Sequence, residues 1–155
     1  MNKIDNLQWI LKTLAVIIIV FLSGFNNVFS STVPETTITL LQQGFKTDTI
    51  EESQTSYENG ISYYDKGAYL SAEKEFIIAI DLAEKSHENE ILSYAFHYLG
   101  NIESWKSNFS QSISYHKKAR VLFLKQKNSE YEAISNNQIS FAFESLGEYD
   151  STLVY

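Results

Sequence analysis

The 155-residue chain has no cysteine, one proline, one methionine and six glycines, and sets 12 basic residues against 19 acidic ones. The lack of cysteine excludes a disulfide framework, a thiolate zinc site, a cysteine nucleophile and a lipid carried on an N-terminal cysteine. Only three histidines are present, His87, His97 and His116, and no two have the HExxH spacing that puts a ligand pair on one helix face. No metal and no cofactor are therefore expected. A net charge of −7 and a sequence pI near 4.9 leave no basic face to displace counterions from a phosphate backbone, which argues against nucleic acid and against acidic partners. The single proline, Pro34, precedes every helical pattern, so no helix is expected to be interrupted.

Long apolar runs are also scarce, with one exception near the start. Leu14 to Phe25, LAVIIIVFLSGF, is flanked by Lys3 and Lys12 and followed by Val28, Phe29 and Ser30. The run is shorter than the roughly 20 residues that a bilayer-spanning helix needs. It reads as an export signal over residues 1–30, cleaved between Ser30 and Ser31. The alternative is an uncleaved signal anchor beginning near Trp9, which would tether the chain to the membrane. Both place the remainder outside the cytoplasm, periplasmic or extracellular, and contact with a membrane is expected only if the segment stays uncleaved.

The remainder repeats with a period of 40 residues. Gly60 recurs as Gly100 and Ser140, Gly67 as Ser107 and Gly147, and Tyr69 as Phe109 and Tyr149. Ala72 returns as Ser112 and Thr152, Phe76 as His116, and Ala79 as Ala119. Small residues stay small, and aromatic positions stay ring-bearing. Within a unit, apolar residues recur at spacings of three and four: Tyr69, Ala72, Phe76, Ala79, Ile80 and Ala83 form a stripe opposite Glu73, Lys74, Asp81 and Glu84. Tight turns are expected at Gly67, Ser107 and Gly147, and polar separators at residues 85–89 and 125–130.

The pattern Gly60, Tyr63, Gly67, Tyr69, Ala72, Phe76, Ala79 resembles the tetratricopeptide signature. The second unit keeps Leu99, Gly100, Phe109 and Ala119 but departs from it at Glu103 and His116. The family's usual period is about 34 residues; the extra length here, around residues 87–92 and 128–132, is similar to a longer-helix variant found in bacterial regulatory and scaffold proteins. The resemblance implies an all-α, right-handed helix-turn-helix solenoid of about two and a half repeats, over residues 52–92, 93–132 and an incomplete 133–155. Its signature residues make the core, small ones allowing close helix approach and large ones filling the space between units. Residues 31–51 fall outside the repeat and read either as a mobile leader or as a capping segment with a short helix through Thr39 to Phe45.

No Ser-His-Asp set, carboxylate pair or phosphate-cradling glycine loop is present, so no catalytic residue is expected and the chain is not read as an enzyme. His87 with Glu88 and Glu90 falls in a polar separator and reads as a solvated turn. Asn108-Phe109-Ser110 is formally a glycosylation acceptor, but it stands where the repeat needs its aromatic residue.

The resemblance further implies that the first helix of each unit lines a concave surface. By register this gives Gln54, Tyr57, Ile61 and Tyr64, then Tyr94, His97, Asn101 and Ser104, then Ile134, Asn137, Phe141 and Glu144, with Trp105 just beyond. The set holds no Lys or Arg, so it does not resemble the basic clamp that some family members use on a terminal carboxylate. It suits apolar or aromatic contact with a protein or peptide. Tyr57, Tyr64 and Tyr94 have a second reading, as packing residues within the stack.

Two functions are compatible with these features. One is an extracytoplasmic scaffold that binds a protein or peptide. The other is the sensory input region of a bacterial signal-transduction protein, a histidine kinase or transcriptional regulator, lacking its output domain. The incomplete third repeat is expected to leave Leu146, Leu153 and Val154 poorly covered and to favour self-association.

Overall fold

A computed structural model describes residues 35–148. The expected signal segment at residues 1–30, its cleavage point, and Tyr149 with the residues after it lie outside that range. Among the described residues the fold is all-α, with five helices in succession and no strand: α1 (Glu35–Asp65), α2 (Tyr69–Ser86), α3 (Asn89–Trp105), α4 (Phe109–Lys125) and α5 (Ser129–Ser145). The packed helices belong to a compact unit that begins at Gly44. Within it α2 lies on α3, α3 on α4 and α4 on α5, and α3 also reaches α5. The described residues thus form a helical-repeat solenoid of two and a half helix pairs.

The turns explain the regularity. Tyr69, Asn89, Phe109 and Ser129 open successive helices 20 residues apart. Before each of them, and again after α5, one residue takes the left-handed conformation: Gly67, His87, Ser107, Lys127 and Gly147, with φ of 72°, 62°, 64°, 58° and 77°. The amide that follows then donates back to a carbonyl five residues earlier. These bonds run from Ala68 to Tyr63, Glu88 to Ala83, Asn108 to Glu103, Asn128 to Phe123 and Glu148 to Phe143, at 2.8–2.9 Å. This closure satisfies carbonyls that the helix end would otherwise orphan, and it reverses the chain within about three residues. Three of the five positions carry a side chain there, so this geometry is held against a conformational preference of roughly 1–2 kcal/mol per residue.

The bounds of the elements follow from these turns. The turns between units at His87 and Lys127 are as short as those within units; the extra length lies in the helices, which run through the first part of each polar separator. Helix pairs begin at Asn89 and Ser129, so the boundaries drawn at 92/93 and 132/133 fall inside the first turn of α3 and of α5. The short helix expected through Thr39 to Phe45 is part of the 31-residue α1, which also runs through the 51/52 boundary. Leu40 and Leu41 on it are exposed.

Burial follows the 40-residue register. Ala72 and Ser112, Phe76 and His116, Ala79 and Ala119, Ala83 and Phe123, Leu99 and Ile139, and Ile102 and Ala142 are all at most 1% exposed. A Cβ on Gly60 would stand 2.6 Å from Cε1 of Phe76, and a Cβ on Gly100 would stand 2.6 Å from Nε2 of His116. At both sites the missing side chain lets a ring lie directly on a helix backbone. Ser53 and Ser93 add a pair with the same separation, each buried and each donating to a carbonyl three residues back, Ile50 and Glu90. Tyr63, read as a signature packing residue, is 40% exposed.

The departure at Glu103 also has a physical account. Its carboxylate is buried at the α3–α4 turn, where it accepts from Lys106 Nζ at 2.9 Å and Asn108 Nδ2 at 2.8 Å. Lys106 also donates to Glu73 on α2 at 2.7 Å. Burial opposes ionisation of Glu103, but these hydrogen bonds outweigh it and hold the carboxyl below its ordinary value. A polar clamp therefore ties α2 to the α3–α4 turn.

Candidate functional site

Three of the aromatic residues expected on the first helices, Tyr57, Tyr64 and Tyr94, join one ladder. Tyr57, Ile61 and Tyr64 share a stripe of α1, and Tyr94 and Tyr98 share one of α3, at helical spacings of three and four. Tyr64 stands edge-on to Tyr98 at 5.0 Å, Tyr98 stacks on Phe76 at 5.1 Å and 7°, and Tyr57 faces Tyr94 and Tyr98 at 6.4 Å. Tyr94 continues the ladder to Tyr131 on α5 at 4.8 Å and 87°. Burial is the first cause that pushes the hydroxyls of Tyr57, Tyr64, Tyr94 and Tyr98 up, so these groups stay protonated hydrogen-bond donors.

Tyr98 and Tyr131 belong to this ladder but not to the register-derived set. The 40-residue comparison hides them, because their counterparts one unit earlier are Glu58 and Ile91. The step of four from Tyr94 to Tyr98 was the available signal for the first of the two. Tyr131 had none.

The remaining candidates separate. Ile61 is half-buried against the cluster around Ala72 and Phe76. His97, expected on an exposed surface, is buried, with His116 and Tyr131 at 5.4 and 5.5 Å from its ring. Asn101 Nδ2 lies 3.2 Å from its Nε2; if Asn101 donates, the ring proton sits on Nδ1, which has no partner. Both nitrogens of fully buried His116 also lack one. Burial pulls His97 down to about 4; burial, then the neighbouring His97, pulls His116 down to about 3. Both rings are therefore neutral near pH 7. Trp105 is 67% exposed, yet its ring is 4.6 Å from Tyr69; Phe141 is 52% exposed and meets Phe109 at 6.3 Å. Asn137 is exposed.

One cleft draws on the predicted set, with an opening volume of about 550 Å³. Ile50, Glu51, Gln54 and Tyr57 of α1 form one wall. Glu88, at the turn before α3, and Glu90, Ile91 and Tyr94 of α3 form the other. The register places Gln54, Tyr57 and Tyr94 here, and Glu88 and Glu90, which the sequence reads as part of a solvated turn, line the cleft as well. His87, their neighbour, is the exposed left-handed residue of that turn and does not line the cleft. Tyr57 and Tyr94 present half-buried rings, Ile91 gives the floor apolar area, and among the described residues no Lys or Arg lines the space. The Tyr94 hydroxyl accepts from Asn128 Nδ2 at 3.3 Å, so the α4–α5 turn helps orient it. Such a cleft can hold an extended or helical segment by ring contact and hydrogen bonding.

Among the described residues no three His, Asp or Glu side chains could hold a metal ion together, and no helix is long and apolar enough to cross a membrane. No protein-family model, curated protein or solved structure matches the chain. The class is therefore defined by the chain's own geometry: an all-α helical-repeat protein with an aromatic ladder along its first helices and an open cleft beside Tyr57 and Tyr94 of that ladder.

Proposed function

We propose that the chain is an extracytoplasmic scaffold of the tetratricopeptide kind that binds a protein or peptide. The observation that carries this reading is the cleft between α1 and α3, walled by Tyr57 and Tyr94 and floored by Ile91. The equivalent seats of Phe76 on Gly60 and His116 on Gly100 support the family assignment. The apolar run from Leu14 to Phe25 supports export. Rigid repeats suit recognition because the helices that form the groove are ordered before the partner arrives, which reduces the entropy lost on binding.

A peptide-display selection against the immobilised full chain tests the proposal. An enriched motif whose binding is lost in Tyr57→Ala and Tyr94→Ala, but kept in Leu70→Ala on exposed surface of α2, is the expected result. Enrichment indifferent to all three variants, or no enrichment, would overturn the reading.

A further inference from the structure

The cleft combines three carboxylates with two tyrosine rings and leaves the carboxylates without counter-charges. Glu51, Glu88 and Glu90 line it, and among the described residues none of them enters an ion pair. By contrast, the buried Glu103 is neutralised by Lys106. Glu90 is also felt at the cleft's own rings: after burial and the neighbouring tyrosines, its charge contributes to raising the hydroxyls of both Tyr57 and Tyr94.

Resting on the scaffold reading above, we propose that this cleft takes an arginine side chain of a basic peptide segment, with the guanidinium against the Tyr57 and Tyr94 rings and its N–H groups donating to Glu88, Glu90 or Glu51. Charge complementarity selects the partner, since a cleft with carboxylates and, among the described residues, no cation, in a chain of net charge −7, repels acidic segments. Arginine suits it better than lysine. A planar, weakly hydrated guanidinium can lie against an aromatic face while donating in its own plane to carboxylates, whereas an ammonium gives up more hydration to enter an apolar-floored space. Ile91 and Ile50 then contact an apolar residue beside the arginine.

The test is fluorescence anisotropy with the full chain and three labelled eight-residue peptides, identical except that two positions carry arginine, citrulline or lysine. The arginine peptide should bind most tightly, its affinity should fall with added salt, and citrulline should weaken binding at least about tenfold. Glu90→Gln and Glu88→Gln should each weaken the arginine peptide several-fold at an unchanged melting temperature, while Glu84→Gln, exposed on α2, should leave it unaltered. Equal binding of the arginine and citrulline peptides, or indifference to the glutamine variants, would overturn the proposal, and so would lysine binding more tightly than arginine. A display selection that returned an uncharged or acidic motif still dependent on Tyr57 would overturn the arginine assignment and leave the scaffold reading standing. Failure of every display-library peptide to bind would overturn both.

Discussion

His116 lies on the backbone of Gly100, so close that a Cβ at position 100 would come within 2.6 Å of the imidazole Nε2. The ring is fully buried and has no room to give, so Gly100→Ala should destabilise the fold although alanine is the better helix former. Overpacking of about 1–3 kcal/mol exceeds a propensity gain of about 1 kcal/mol. Gly60→Ala should behave alike against Phe76, while Gly44→Ala, with nothing within 4 Å of its Cβ, should be stabilising. Thermal melts of the three variants check this ordering.

His116 also predicts an acid dependence. Its folded-state pKa of about 3 lies below the ordinary value of 6.5, so between those limits the unfolded chain binds the proton more readily. Stability is therefore complete above about pH 6.5 and is lost as pH falls toward 3. His97 adds a similar loss down to about 4. Phe76 already fills the equivalent seat on Gly60, so His116→Phe should fit, and its melting temperature should decline less between pH 7 and pH 4 than that of the unaltered chain. An unchanged pH slope would count against this account of the buried imidazole.

Lys106→Met should cost about 1–3 kcal/mol, because it leaves the carboxylate of Glu103 buried with only Asn108 donating to it. The depressed pKa of Glu103 adds a signed consequence: the clamp's contribution is present above the ordinary carboxylate value of 4.5 and disappears as pH falls below it. Combining Lys106→Met with Glu103→Gln should recover part of the loss, which a double-mutant cycle in thermal or urea unfolding would detect.

Export predicts that the product recovered from outside the cytoplasm begins at or near Ser31, as read by N-terminal sequencing. An intact Met1 form in the membrane fraction would instead support the signal-anchor alternative.

The helical-repeat class and the 40-residue register were legible because close packing demands small residues where backbones approach, and Gly60, Gly100, Ala79 and Ala119 keep that demand visible. The finer 20-residue rhythm was not. It resides in backbone closure at His87 and Lys127, residues that announce no left-handed turn as glycine does, whereas the turn at Ser107 was expected from the repeat. The candidate site was legible only in part. Register found Tyr57 and Tyr94, but whether an aromatic residue on a helix faces solvent or its neighbours depends on the partner helix, and His97 went inside. Glu88 and Glu90 were passed over because a polar run at a helix junction looks the same whether it faces open solvent or the wall of a cleft.

Duplication of one unit tests the repeat architecture most directly. Residues 89–128 hold α3, α4 and the turn that follows each, and both ends of the segment have the same turn geometry. In a true repeat array, inserting a second copy of 89–128 after Asn128 adds one more unit and one more interface, because each unit contacts only its neighbours. The account predicts a monomeric protein with a single cooperative melt at an unchanged or higher temperature, and added helical circular dichroism matching two further helices. A duplicated chain that lost cooperative melting, or that left the inserted copy unfolded, would contradict it.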